Sequence, residues 1–142
     1  MVQNRSRKLV LVVEDSPAQS IQLQALLENE GIACALASNG QTGLYLAQTL
    51  LPDAVILDLE MPIMNGFEVC KQLKAAPDTA GVPVILRTRY DDIDSMTHGF
   101  EAGAVEFIPK DSFSDLVLLE TLRQLNILPK KKDSGPLSSA TR

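Results

Sequence analysis

Apolar and polar positions alternate along the chain in a way that marks out ten elements. Leu9-Val10-Leu11-Val12-Val13 is unbroken aliphatic, as in a strand covered on both faces. Behind Glu14-Asp15-Ser16-Pro17, the residues Leu23, Leu26 and Leu27 fall at i, i+3 and i+4, which predicts a helix stopped at Gly31. Ile32 to Ala37 reads as a second, weaker strand. Asn39-Gly40 opens a helix that carries Leu44, Ala47 and Leu50 and is ended by Pro52. Ala54 to Leu57 is a third strand, Pro62 to Gly66 a turn-rich loop, and Phe67, Val69, Cys70 and Leu73 populate the helix after it. Val82 to Leu86 reads as the fourth strand, Asp91 to Ala102 as a helix and Val105 to Ile108 as the fifth strand. Leu118, Leu122 and Leu125 mark the last helix, with Ser112 or Ser114 as its capping hydroxyl. Strand and helix alternating five times predict an α/β protein, a parallel sheet with helices on both faces and right-handed crossovers.

Composition narrows the class. The 142 residues suit one domain, expected over 8–128, with an N-terminal tail at 1–7 and a flexible, polar C-terminal tail at 129–142. A net charge of −5 argues against direct nucleic-acid binding, because phosphate backbones reward a basic surface. No apolar run approaches the about 20 residues that cross a bilayer, and the basic start MVQNRSRK leads only into a short strand-like run, unlike a secretory signal. Cys34 and Cys70 lack metal-like spacing and read as reduced packing residues, so a cytoplasmic setting is expected.

The chemistry lies where the strands run out. In open parallel sheets, ligands bind beyond the C-terminal strand ends, near the point where strand order reverses. Glu14 and Asp15 follow the first strand, Asp58 ends the third, Thr88 and Arg89 follow the fourth, and Lys110 follows the fifth. With strand order 2-1-3-4-5, the first and third strands are neighbours and the three carboxylates converge. Such a cluster stays ionised only beside a cation, and oxygen ligands alone suit Mg²⁺. Lys110 adds a fixed positive charge and Thr88 a hydroxyl donor for an oxyanion. The set forms a cradle for a phosphoryl group, with Asp58 as nucleophile, Asp15 and Glu14 as metal holders and Lys110 as clamp.

VLVVEDSP, VILDLEMPIMNG, PVILRT and GAVEFIPK, in this order and spacing, resemble the receiver domain of bacterial response regulators over residues 8–128. The resemblance implies a doubly wound, five-stranded parallel sheet of order 2-1-3-4-5, the flavodoxin-like receiver fold. It implies Mg²⁺-dependent phosphotransfer to Asp58 from a sensor histidine kinase or a histidine phosphotransfer domain. It places Glu14 and Asp15 on the family's acidic pair, the backbone carbonyl of Glu60 on its third metal ligand, and Lys110 on its lysine. Thr88 and Phe107 match the pair that shifts on phosphorylation, Thr88 toward the phosphoryl group while Phe107 turns inward. Glu60 and Tyr90 match positions that tune phosphate lifetime. Output is expected through protein contacts of Ile93, Met96, Glu106 and the exposed side of residues 115–125, with a homodimer through that face left open. The chain is expected to be a phosphoacceptor rather than an enzyme with turnover.

Two residues depart from the pattern. Arg89 stands where the family usually has a small residue, predicting slow gain and slow loss of phosphate through a contact with phosphate, a pairing with Glu60 or restricted entry. Asp111 stands where the family usually has proline, which predicts a trans Lys110–Asp111 bond. The rival functions are distinguishable. A metal-dependent phosphatase would lack the MPIMNG loop, and a flavodoxin-like nucleotide binder would need a phosphate loop where EDSPAQS is acidic. The remaining alternative is a receiver-like interaction module that works without phosphate. His98 and the methionines read as surface or packing residues, and no role is assigned to them.

Overall fold

A computed structural model describes residues 7–89 and 92–129. Its elements are β1 (Leu9–Val13), α1 (Pro17–Asn29), β2 (Ala33–Ala37), α2 (Gly40–Leu50), β3 (Ala54–Asp58), α3 (Gly66–Ala75), β4 (Val84–Thr88), α4 (Ile93–Glu101), β5 (Glu106–Pro109) and α5 (Ser114–Gln124). The five strands form one parallel sheet in the order β2-β1-β3-β4-β5. Fold class and strand order are those the sequence implied. Tyr90, Asp91 and the tails 1–6 and 130–142 lie outside the described residues.

The helix starts follow side-chain chemistry. Ser16 caps α1 by accepting from the Gln19 amide, and Pro17 sits at the first helical position, where its missing N–H is not needed. Asn39, Asn65 and Asp92 cap α2, α3 and α4 in the same way. The start of α5 differs from expectation. Neither Ser112 nor Ser114 caps it; Asp111 accepts from the Phe113 amide through Oδ1 at 2.9 Å and from the Ser114 amide through its carbonyl at 3.1 Å. The residue that replaces proline thus organises the turn into α5. Every described peptide bond is trans, Lys110–Asp111 included.

The fourth strand is displaced by two residues from the predicted Val82–Leu86. Val82 belongs to the preceding turn, where its amide donates to the Thr79 carbonyl and its own carbonyl accepts from Lys74 Nζ at 2.6 Å. At the other end the sheet extends through Arg87 and Thr88, because the Leu59 amide bonds the Arg87 carbonyl and the Lys110 amide the Thr88 carbonyl. The helix expected from Asp91 begins at Ile93, behind its cap at Asp92. The fifth strand is shifted by one residue from Val105–Ile108 to Glu106–Pro109.

Strand parity sorts the interior into two cores. Leu11, Val13, Val55, Leu57, Val84, Leu86 and Phe107 face α2, α3 and α4. Val10, Val12, Ile56, Ile85 and Ile108 face α1 and α5, against Leu23, Leu27, Leu118 and Leu122. Burying a side chain of this size contributes roughly 1.5–3 kcal/mol, so both faces are strongly driven into register. Two glycines allow close approaches. A Cβ on Gly66 would lie 2.8 Å from the Asp58 carbonyl oxygen, and one on Gly99 would lie 2.8 Å from Leu86 Cδ1 and 3.0 Å from Phe107 Cδ2.

Candidate functional site

The C-terminal edge of the sheet gathers the predicted acids. Glu14 follows β1, Asp58 closes β3, and β1 and β3 are hydrogen-bonded neighbours. One carboxylate oxygen from each of Glu14, Asp15 and Asp58 lies within 4.8 Å of the others. Glu14 and Asp58 are buried, at 2% and 3% exposure, while Asp15 faces solvent. Glu14 is held at both ends: Oε2 accepts from the Ser16 amide at 3.1 Å and its carbonyl from the Ser20 hydroxyl at 3.2 Å.

Lys110 enters from the loop after β5. Its Nζ lies 3.1 Å from Asp58 Oδ1 and 3.4 Å from Glu14 Oε1, and Asp58 Oδ1 also accepts from the Glu60 amide at 3.0 Å. These donors do not fully offset the environment. Burial, followed by the hydrogen bond to and the charge of Glu14, pushes the Asp58 carboxyl up to about 6, against the pull of the Glu60 amide and Lys110. Crowded carboxylate oxygens with one ammonium beside them suit a hard divalent cation, and the residues present fit Mg²⁺.

Thr88 is buried at the end of β4 and donates its hydroxyl to Glu60 Oε2. The Arg89 amide adds a second donor to the same oxygen at 3.2 Å, and Arg89 Nε lies 3.8 Å from Glu60 Oε1. The pairing with Glu60 foreseen for Arg89 is present. The guanidinium is 69% exposed, so this long ion pair is weak and the backbone amide is the firmer link. Phe107 is already turned inward, 5% exposed, in the space that Gly99 leaves beneath α4. Tyr90 lies outside the described residues.

One charged residue escaped the sequence reading. Arg87 pairs in register with Asp58 on one side and Ile108 on the other, and is 7% exposed. Its Nε and Nη1 are buried without a hydrogen-bond partner among the described residues. Burial pulls the guanidinium below its ordinary value, while Glu14, Asp115 and Asp58 hold it up. Ending the fourth strand at Leu86 left Arg87 in a loop; extending it by two residues places Arg87 on the Asp58 face by alternation alone.

Comparison with known proteins agrees with this arrangement. The family described as response regulator receiver domain matches residues 10–123. The response regulator PleD of Caulobacter vibrioides is 39% identical over 116 residues, which cover 82% of this chain but 25% of PleD. PilH of Pseudomonas aeruginosa is 35% identical over 113 residues, 80% of this chain and 93% of PilH. The chain therefore spans about a quarter of one relative and nearly all of the other. Among solved structures, the chemotaxis protein CheY4 of Vibrio cholerae superposes with a TM-score of 0.79 at 28% identity, covering 84% of this chain and 99% of CheY4. Five parallel strands in this order, an acidic cluster at their C-terminal edge and a family match across most of the chain place the protein in the response regulator receiver family of two-component signalling.

Proposed function

We propose that this receiver takes a phosphoryl group onto Asp58 from the phosphohistidine of a sensor histidine kinase or a histidine phosphotransfer domain. The observation that carries the reading is the meeting of Glu14, Asp15 and Asp58 with Lys110, 3.1 Å from the acceptor. Transfer breaks the phosphorus–nitrogen bond of the donor and forms a phosphorus–oxygen bond to the Asp58 carboxylate. Lys110 and the Glu60 amide fix the carboxylate through Oδ1, so orientation is set before the donor arrives. Mg²⁺, held by Glu14, Asp15, Asp58 and the Glu60 carbonyl, would neutralise charge on the transferring group.

The hydroxyl of Thr88 and the amide of Arg89 are the donors suited to a phosphoryl oxygen, and both are engaged by Glu60. Phosphorylation then requires an exchange, in which Thr88 leaves the Glu60 carboxylate for the phosphoryl group. That exchange biases a two-state rearrangement whose output is read at α4, β5 and α5. Ile93 is 79% exposed and Leu116 67%, and Glu106, Val117 and Glu120 help line a groove of about 440 Å³ there. Met96, in contrast, is partly buried against the core and has less to offer a partner. Homodimerisation through this face belongs to the same proposal.

The test is incubation with Mg²⁺ and a small phosphodonor, read by intact mass and phosphate-retarding gels, with Asp58→Asn as control. One added phosphoryl group that needs both Mg²⁺ and Asp58 is the expected result. No gain, with Mg²⁺ binding intact, overturns the reading in favour of an interaction module that works without phosphate. Arg89→Ala is expected to speed both uptake and loss of phosphate by opening the mouth of the site. Unchanged rates would remove Arg89 from the account.

A further inference from the structure

Arg87 is a charged residue on the face of β4 that Ile85 presents to the core between the sheet, α1 and α5. On the face covered by α1 and α5, Ile56 pairs with Ile85, and two residues further along each strand Asp58 pairs with Arg87, which has Ile108 as its partner on β5. Cross-strand partners on one face stand about 4.8 Å apart, so the Arg87 stem starts beside the acceptor carboxylate. Its side chain is 7% exposed, and Asp115 in the first turn of α5 lies within electrostatic reach. A guanidinium does not release its proton, so the charge persists whatever its neighbours do. Two of its nitrogens make no hydrogen bond among the described residues, which is unusual for a buried polar group. No described side chain pairs with them by direct hydrogen bond; what holds the guanidinium is the field of the acids around it.

We propose that Arg87 is a second built-in cation of the acceptor site, a positioning residue that competes with the divalent ion for the charge of Glu14, Asp15 and Asp58. With Lys110 alone, three carboxylates leave two negative charges, a match for one divalent ion. With Arg87 beside Asp58 only one remains. Removing a unit of positive charge at this range, in surroundings of effective dielectric about 20, changes the affinity for a divalent ion by about tenfold or more. The native receiver is therefore tuned to bind Mg²⁺ weakly and to hold the added negative charge of a phosphorylated Asp58 well.

This inference rests on the Mg²⁺ reading above, and titration calorimetry of MgCl₂ into the full chain separates the two. The variants are Arg87→Met and Arg87→Gln, which remove the charge, and Arg87→Lys, which keeps it. Circular dichroism checks that each is folded, as expected when an unpartnered buried cation is replaced by a side chain of similar length. The expected result is Mg²⁺ binding tightened about tenfold in both neutral variants and within about threefold of native in Arg87→Lys. Unchanged or weaker binding in folded neutral variants overturns the inference and leaves the metal reading standing. Equal tightening in Arg87→Lys also overturns it, since packing rather than charge would then be responsible. If the native chain and Asp58→Asn both give no binding heat while Arg87→Met does, the metal reading fails for the native protein and the charge competition stands. Silence in every variant overturns both.

Discussion

The two faces of the sheet are built from the same five strands and finish differently. Toward α2, α3 and α4, the aliphatic rows end in a hydroxyl at Thr88 and an aromatic ring at Phe107, both buried. Toward α1 and α5, equally apolar rows end in Glu14, Asp58, Arg87 and Lys110. Neighbouring residues in one strand, Arg87 and Thr88, thus belong to different layers of the site. One face gathers fixed charge, and the other offers a neutral donor and a packed ring. Alternation with period two makes this separation within the strands, for Asp58, Arg87, Thr88 and Phe107, while Glu14 and Lys110 extend the charged face from the residues just after β1 and β5.

The largest effects should be shared by the faces. Ile85→Ala and Leu86→Ala remove fully buried side chains on opposite sides of one strand. Each is expected to destabilise the fold by about 2–5 kcal/mol in urea unfolding. A loss confined to one of them would show that the two cores are not equivalent supports.

The next effect belongs to the charged face alone. Folding raises the Asp58 carboxyl from 3.8 to about 6, so the folded state holds the extra proton between those values. For the metal-free protein, this group's contribution to stability therefore falls as pH rises from 3.8 to about 6 and stays low above that. Asp58→Asn should raise the stability of the metal-free chain at pH 7 by about 1–3 kcal/mol and flatten that part of the profile. A profile that keeps the same slope in the variant would assign the proton elsewhere.

Gly99→Ala tests the neutral face. The new methyl would meet Leu86 and Phe107, and a net loss of about 1–2 kcal/mol is expected, with a changed near-ultraviolet signal from the displaced ring. Smallest is Ile63→Gly. Ile63 is fully exposed at a left-handed φ of 71°, which a β-branched residue adopts reluctantly. Relief of that strain should raise stability by about 0.5–1 kcal/mol, measured as a small rise in Tm.

Most of the fold was legible because its signals are local. Aliphatic runs, caps at Ser16 and Asn39 and the stop at Gly31 each act within a turn or two of chain. The acids were legible because the strand-end rule places them without knowledge of side-chain conformation. Arg87 was not, since a charged residue directly after Val84, Ile85 and Leu86 reads as the end of a strand, whereas hydrogen bonds from Leu59 and Lys110 to the carbonyls of Arg87 and Thr88 help keep the strand going. The engagement of Thr88 by Glu60 was equally hidden, because it joins residues 28 apart in sequence through two side-chain rotamers. Asp111 stands out in the sequence only as a departure from proline, and its service as a turn acceptor appears only once Phe113 and Ser114 are placed.

Lys74 has a consequence of another kind. Its ammonium donates to the carbonyls of Ala80 at 3.1 Å and Val82 at 2.6 Å, and its stem fills the space over Gly103, where a Cβ would come within 2.6 Å. One side chain thus rivets the end of α3 to the approach to β4 and to the turn before β5. Amine-directed reagents should mark exposed Lys71 readily and pass Lys74 over. An acetyl group forced onto Lys74 would strip its charge and two of its three donors, leaving the 76–83 connection open to proteolytic nicking.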